Sequence, residues 1–100
     1  MLVLHFPRKE FDTEEFFGEV KPDERSKADY YKKVDMALPA IGDIITKVAG
    51  GALDLKVVER EYSLDHLRWK IKLEIQITTS DADPWDVIRY FESEWSIEPL

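Results

Sequence analysis

The sequence contains no cysteine, no asparagine and a single glutamine, Gln76. A chain without cysteine forms neither a disulfide nor a thiolate metal site, which is typical of cytoplasmic proteins. We therefore expect a cytoplasmic protein. Scarce amides combined with 35% charged residues are a pattern that high temperature selects. The composition thus favours a thermophilic source, with chance in a short chain as the alternative.

Long hydrophobic runs are also missing. The longest apolar stretch, residues 41–48, is interrupted by Gly42, Asp43 and Lys47, whereas a membrane-spanning helix needs ~20 apolar residues. Residues 1–8 lack the basic start, the apolar stretch and the cleavage site of a signal peptide. We expect neither a membrane span nor a signal peptide.

Glycine-rich catalytic and cofactor motifs are absent as well. The chain has no nucleophile elbow, no phosphate-binding glycine loop and no dinucleotide fingerprint. Gly50 and Gly51 follow a helical pattern and fit its termination. We therefore assign no catalytic residue and no cofactor.

Acidic residues outnumber basic residues by 21 to 14, which gives a net charge of -7 at pH 7. Such a balance repels phosphate backbones and attracts basic surfaces. The one basic stripe, formed by Arg68, Lys70 and Lys72, lies by strand parity on the face opposite Trp69. Because base stacking needs aromatic rings on the basic face, we expect no direct nucleic-acid binding.

The length of 100 residues and a hydrophobic content of 44% indicate one domain, residues 1–100. Apolar periodicity predicts an α+β fold in the order β-α-β-β-α. The predicted elements are a strand at 2–6, a long helix from 23 or 26 to 49, strands at 53–62 and 67–78, and a helix that begins at 84. These elements predict a three-stranded, mostly antiparallel sheet with both helices packed on its one apolar face.

The long helix rests on apolar residues at three- and four-residue steps from Tyr30 to Val48. Pro39 removes one backbone donor and clashes with the carbonyl of Asp35. We therefore expect either a kink near Pro39 or two helices that meet there.

The last two strands are predicted to form an antiparallel hairpin through a turn at 63–66. The apolar parity changes at Val57–Val58, which indicates a β-bulge. The predicted register sets Tyr62 against Leu67, Val58 against Ile71, Glu59 against Lys70 and Glu61 against Arg68.

Asp81, Asp83 and Asp86 resemble part of a cation-binding loop, but the glycine and the closing glutamate of that motif are missing. Asp83, followed by proline, fits a helix N-cap, and Asp86 fits the first turn. His5 and His66 have no partners at metal-ligand spacing. We expect helix capping here and no metal site.

Residues 10–20 place three phenylalanines among five carboxylates. Aromatic side chains anchor protein partners, and acidic neighbours steer basic ones. Because the other apolar segments supply the main core layers, we expect these rings to be free for a partner. The alternative is that they cover the open end of the core. The candidate partner-binding residues are Phe11, Glu14, Glu15, Phe16 and Phe17.

These patterns favour a non-catalytic protein–protein interaction or assembly subunit whose partner is another protein, with a basic surface as one option. The first alternative is an acidic inhibitor of the immunity or anti-defence type, which blocks a basic nucleic-acid-binding protein. The second is a small enzyme whose site assembles only in three dimensions, although no enzyme is expected, because chance carboxylate pairs are common among 21 acids. The sequence leaves the oligomeric state open.

Overall fold

The computed structural model describes all 100 residues. Its strands are β1 (Leu2–Phe6), β2 (Tyr30–Val34), β3 (Ile44–Lys47), β4 (Leu53–Ser63) and β5 (Arg68–Ile75). Its α-helices are α1 (Glu14–Phe17) and α2 (Pro84–Glu94), and short 3-10 helices lie at Arg8–Asp12 and Pro22–Glu24. None of the helices combines the length and the apolar character of a membrane span.

The strands form one mixed, five-stranded sheet in the order β2-β1-β5-β4-β3. β1 pairs parallel with β5, and every other neighbouring pair is antiparallel. The fold is therefore α+β. The predicted three-stranded, mostly antiparallel sheet with a long helix and a second helix on one face is wrong, because two further strands, β2 and β3, occupy the segment that was predicted to be the long helix.

The long helix predicted up to Ala49 does not form; that segment contains β2, an extended loop at 35–43 and β3. Three- and four-residue spacing did not distinguish a helix from two short strands here. β-branched residues such as Ile44, Ile45 and Thr46 favour a strand. Pro39 and Gly42, which has a φ of 96°, interrupt the chain between the strands. The predicted kink is thus a loop.

The predicted hairpin of β4 and β5 is present, and its register shifts between Val57 and Glu59, which confirms the bulge. The pairing differs from the prediction by two residues, since Tyr62 pairs with Trp69 rather than with Leu67. Leu67 has a φ of 52° and belongs to the turn, so the strand begins one residue later. The observed neighbours on the exposed side are Glu61 with Lys70 and Glu59 with Lys72.

One face of the sheet packs against α2 and the N-terminal segments; we call it the core face. Alternate residues of β1, β4 and β5 point into it, and α2 contributes Val87, Ile88 and Phe91. The Asp83 side chain accepts a hydrogen bond from the Trp85 amide at 2.9 Å, which confirms the predicted N-cap. The Trp85 ring itself is exposed rather than part of the core. The opposite face, which no helix covers, is called the open face below.

Candidate functional site

Phe11 and Phe17, two of the residues predicted to bind a partner, lie inside the core with 0% exposure. The Phe11 ring lies 5.2 Å from that of Phe6, 5.7 Å from that of Phe91 and 5.4 Å from that of Phe17. The core therefore does not close without these rings, which corrects that expectation. Sequence reasoning overestimated the core because it counted the 26–49 segment as a helix packed on the sheet.

Phe16, Glu14 and Glu15 lie at the surface of the same segment. Phe16 is half-buried and packs edge-on against Phe17 with 4.9 Å between ring centroids. Glu15 is exposed, and Glu14 accepts a hydrogen bond from Arg25 at 2.7 Å. That hydrogen bond and the positive charge lower the pKa of Glu14. Glu14 thus has a structural partner, and binding through Phe16 and Glu15 stays a prediction.

Asp81, Asp83 and Asp86 each contact a different group of the protein. Asp81 accepts from the Ala52 amide, Asp83 caps α2, and Asp86 pairs with Arg89. No three histidine, aspartate or glutamate side chains converge in the arrangement of a metal site. These contacts give each aspartate a local structural role.

The open face carries a cluster that sequence reasoning missed. His5 of β1 stacks on Tyr31 of β2 with 4.6 Å between ring centroids and 6° between ring planes. Its Nε2 lies 3.3 Å from Asp29 Oδ2, although both imidazole nitrogens are buried and neither has the alignment of a hydrogen bond. Strand β2 places Tyr31 on the basic face of the sheet, and Trp69 lies on the other face as expected. Alternation between Tyr30, Lys32 and Val34 on one side and Tyr31 and Lys33 on the other was the signal for β2.

Burial and neighbouring charges shift the pKa values of this cluster. Burial, reinforced by the charge of Lys70, lowers the pKa of His5, and Asp29 only partly opposes that shift. Burial raises the pKa of Asp29, but the hydrogen bond from the Arg8 amide and the close approach of His5 outweigh burial and leave the pKa lowered. Burial also raises the pKa of Tyr31. At neutral pH the cluster therefore combines a neutral imidazole, a carboxylate and a protonated phenol.

The lowered pKa of His5 predicts a loss of stability in mild acid. Unfolding restores the ordinary value of 6.5, so the unfolded state binds a proton more readily. The free energy of unfolding should be unaffected by His5 above that value and should fall as pH decreases through it. Denaturation with urea at pH 7.5 and pH 5.5 measures the change, and His5→Phe, which keeps a ring against Tyr31, should reduce it. An equal loss in His5→Phe would contradict this assignment.

Comparison with known proteins gives no match. No family model, no curated protein and no solved structure is significantly similar to the chain. Its function must be argued from its own surfaces.

The two edges of the sheet differ in a way that identifies a candidate interface. At the β2 edge, the Tyr31 amide donates to the Ser96 carbonyl at 2.7 Å, and the Ser96 amide donates back at 2.9 Å. The chain therefore covers this edge with its own C-terminal segment. At the β3 edge, no strand lies outside Ile44–Lys47.

The backbone direction at β3 follows from one hydrogen bond. The Val57 amide donates to the Asp43 carbonyl at 2.9 Å, so residues 43, 45 and 47 direct their backbone groups toward β4. The amides and carbonyls of Ile44 and Thr46 therefore point away from the sheet. These groups are ready to pair with a further strand.

Side chains around this edge leave it accessible. Ile41, Ile44 and Val48 are exposed, with 63%, 46% and 73% of their surfaces in solvent. Lysine often protects an edge strand, but Lys47 lies over the Tyr90 ring at 4.8 Å and hydrogen-bonds to the Ala49 carbonyl. The apolar edge, defined as residues 41–48, is the candidate functional site.

Proposed function

We propose that this chain is a non-catalytic protein-interaction subunit that binds an extended segment of its partner along β3. The free backbone groups of Ile44 and Thr46 carry the proposal, because an added strand would satisfy them. The apolar edge also exposes aliphatic side chains. An edge strand that binds no partner is normally protected by charged residues or proline, whereas exposed aliphatic side chains are typical of an interaction surface.

Charge favours a partner other than a second copy of the chain. Each copy carries a net charge of -7, so two copies repel each other at long range. A partner with a neutral or basic surface meets no such repulsion and gains from electrostatic steering. The proposed partner is therefore a different protein with an extended, mainly apolar segment.

Replacing Thr46 with proline tests the proposal. Proline removes the outward amide of residue 46 and is tolerated on an edge strand, while the β3–β4 hydrogen bonds stay in place. Thr46→Val is the matched control, because it keeps the amide and loses the same hydroxyl contact with Asp54. We expect the proline variant to bind at least ~10-fold more weakly, because the hydrogen bond of the residue-46 amide is lost and the partner's acceptor is left unsatisfied, and the valine variant to bind nearly as well as wild type.

The measurement combines affinity capture from the native host with hydrogen exchange. Partners are first identified as proteins that the wild type retains, and the binding of each is then compared for Thr46→Val and Thr46→Pro. In a complex reconstituted with such a partner, the amides of Ile44 and Thr46 should exchange more slowly. Equal binding of Thr46→Pro, or unchanged exchange at β3, would show that the partner binds elsewhere.

A second candidate is the acidic inhibitor of a basic nucleic-acid-binding protein. Its support is the segment from Asp12 to Glu24, which exposes six carboxylates and holds only Glu14 in an ion pair. Binding through these charges should weaken steeply with ionic strength, whereas binding through the apolar edge should change little. Titration of any captured partner at two salt concentrations distinguishes the two functions.

The burial of the His5 imidazole argues against the enzymatic alternative. The one histidine–carboxylate contact is that of His5 and Asp29, and both imidazole nitrogens are out of solvent contact. A general base must reach the proton that it removes, so this pair is poorly placed for catalysis. The cytoplasmic location and the thermophilic source, both inferred from composition, stay predictions.

A further inference from the structure

A small cleft on the open face brings together two cations of β5 and polar side chains from the end of β4 and the hairpin turn. Its volume is about 150 Å³, and its lining includes Val3 of β1 and Pro99 of the C-terminal segment. The other lining side chains are polar. The polar lining residues are Tyr31, Glu61, Ser63, His66, Arg68 and Lys70.

The positive charge in this cleft is not neutralised by ion pairs. Arg68 and Lys70 take part in none of the three ion pairs of the structure, although acidic residues are in excess over the chain. Glu61, the cross-strand neighbour of Lys70, is the only acidic residue of the lining, so the cleft keeps an excess of one positive charge. Residues two apart on a strand share a face and lie about 6.6 Å from each other, so both cations can contact one small anion.

Hydroxyl donors complete the lining. Ser63 supplies a hydroxyl, and the raised pKa of Tyr31, caused by burial, keeps its phenol protonated and able to donate. Ligand pockets for drug-sized molecules are about 300–1,000 Å³, so this cleft is too small for a nucleotide or a coenzyme. The ligand that fits is an anion of a few atoms or the terminal group of a larger molecule.

We propose that the cleft between Tyr31, Ser63, Arg68 and Lys70 binds a phosphate-type dianion, either free phosphate or the phosphate group of a small ester. Arg68 and Lys70 donate to two of the oxygens, Glu61 offsets part of their charge, and the hydroxyls donate to further oxygens. A monocarboxylate has one charge and only two acceptor oxygens, too few for the four donors. This site lies apart from β3 and does not rest on the proposed partner binding.

The test is a titration of the isotopically labelled chain with inorganic phosphate, followed by amide chemical shifts at constant ionic strength. Acetate and chloride serve as comparison ions. Phosphate should shift residues of the cleft, and acetate should bind at least roughly tenfold more weakly, since it lacks one charge. Phosphoserine as a second probe separates a site for phosphate esters from one that admits only the free ion.

Matched double variants test whether the cleft or the overall charge is responsible. Arg68→Gln with Lys70→Gln should weaken phosphate binding by at least about tenfold, because two charged donors are lost. Lys56→Gln with Lys72→Gln removes the same charge from the same face outside the cleft and should leave binding within about threefold of wild type.

Three results would overturn the site. Equal losses in both double variants would show diffuse attraction, and shifts spread over all lysines would show the same. Absence of shifts at millimolar phosphate would show that the cleft does not bind it. Tighter binding of a short single-stranded oligonucleotide than of phosphate would assign the basic face to nucleic acid instead.

Discussion

Replacing Phe17 with alanine is expected to lower the free energy of unfolding by about 3–5 kcal/mol, the usual cost of removing a buried aromatic ring. Phe17 has 0% exposure, and its ring lies 5.4 Å from that of Phe11 and 4.9 Å from that of Phe16. Because Phe11 is held by Phe6 of β1 and Phe91 of α2, the space left by the Phe17 ring would close only in part. The fraction folded in urea measures the loss.

Phe16→Ala is the matched control for this variant. The two phenylalanines are adjacent in sequence and undergo the same chemical change, but Phe16 is half-buried. Phe16→Ala should lower the free energy of unfolding by about 1 kcal/mol, because Phe16 buries less apolar surface on folding than Phe17 does. If Phe16→Ala proved as destabilising as Phe17→Ala, or Phe17→Ala had no effect, the assignment of Phe17 to the core would be incorrect.

The sequence predicted those elements for which periodicity, capping residues and turn residues all indicate the same structure. β5 alternates without interruption, so its buried residues Ile71, Leu73 and Ile75 follow from parity. α2 begins with aspartate and proline in the order that capping requires. The bulge in β4 was visible as a change of parity at Val57–Val58.

The middle of the chain carried two conflicting signals. The apolar residues between Tyr30 and Val48 satisfy helical spacing, while Pro39 and Gly42 disfavour one continuous helix. β2 is stabilised by pairing with β1, a contact more than twenty residues away in sequence. Propensity does not describe such a contact, so tertiary pairing decided the structure of this segment.

The prediction of a long helix is also the reason why neither the β3 edge nor the cleft on the open face was predicted. Without β2 and β3 in the prediction, the sheet had no free β3 edge, and Tyr31 could not be placed beside Lys70. The prediction of an interface therefore rested on the aromatic and acidic content of residues 10–20. A one-turn helix, α1, turns Phe17 inward and leaves Phe16 at the surface, a distinction that composition does not contain.

Replacing Ile71 with aspartate should unfold the domain. Ile71 has 0% exposure at the centre of β5, the middle strand of the sheet. The variant loses the packing of the isoleucine and buries a carboxylate. Its cross-strand neighbour Arg60 is exposed and donates a hydrogen bond to the Pro39 carbonyl, so it does not neutralise the buried charge. An unpaired buried charge costs several kcal/mol, and a domain of this size has only about 5–15 kcal/mol of stability in total. Circular dichroism and thermal melting should show an unfolded chain.

Ile41→Asp provides the control, because it introduces the same charge at a loop position that is 63% exposed. Its stability should stay within about 0.5 kcal/mol of wild type, as surface substitutions usually do. The variant should nevertheless bind the partner more weakly, since a desolvated carboxylate would then lie in the apolar edge. A folded Ile71→Asp with wild-type melting would refute the placement of β5 in the core. An unfolded Ile41→Asp would show that the apolar edge stabilises the fold, because its aliphatic side chains would then pack within the chain instead of being free to bind another protein.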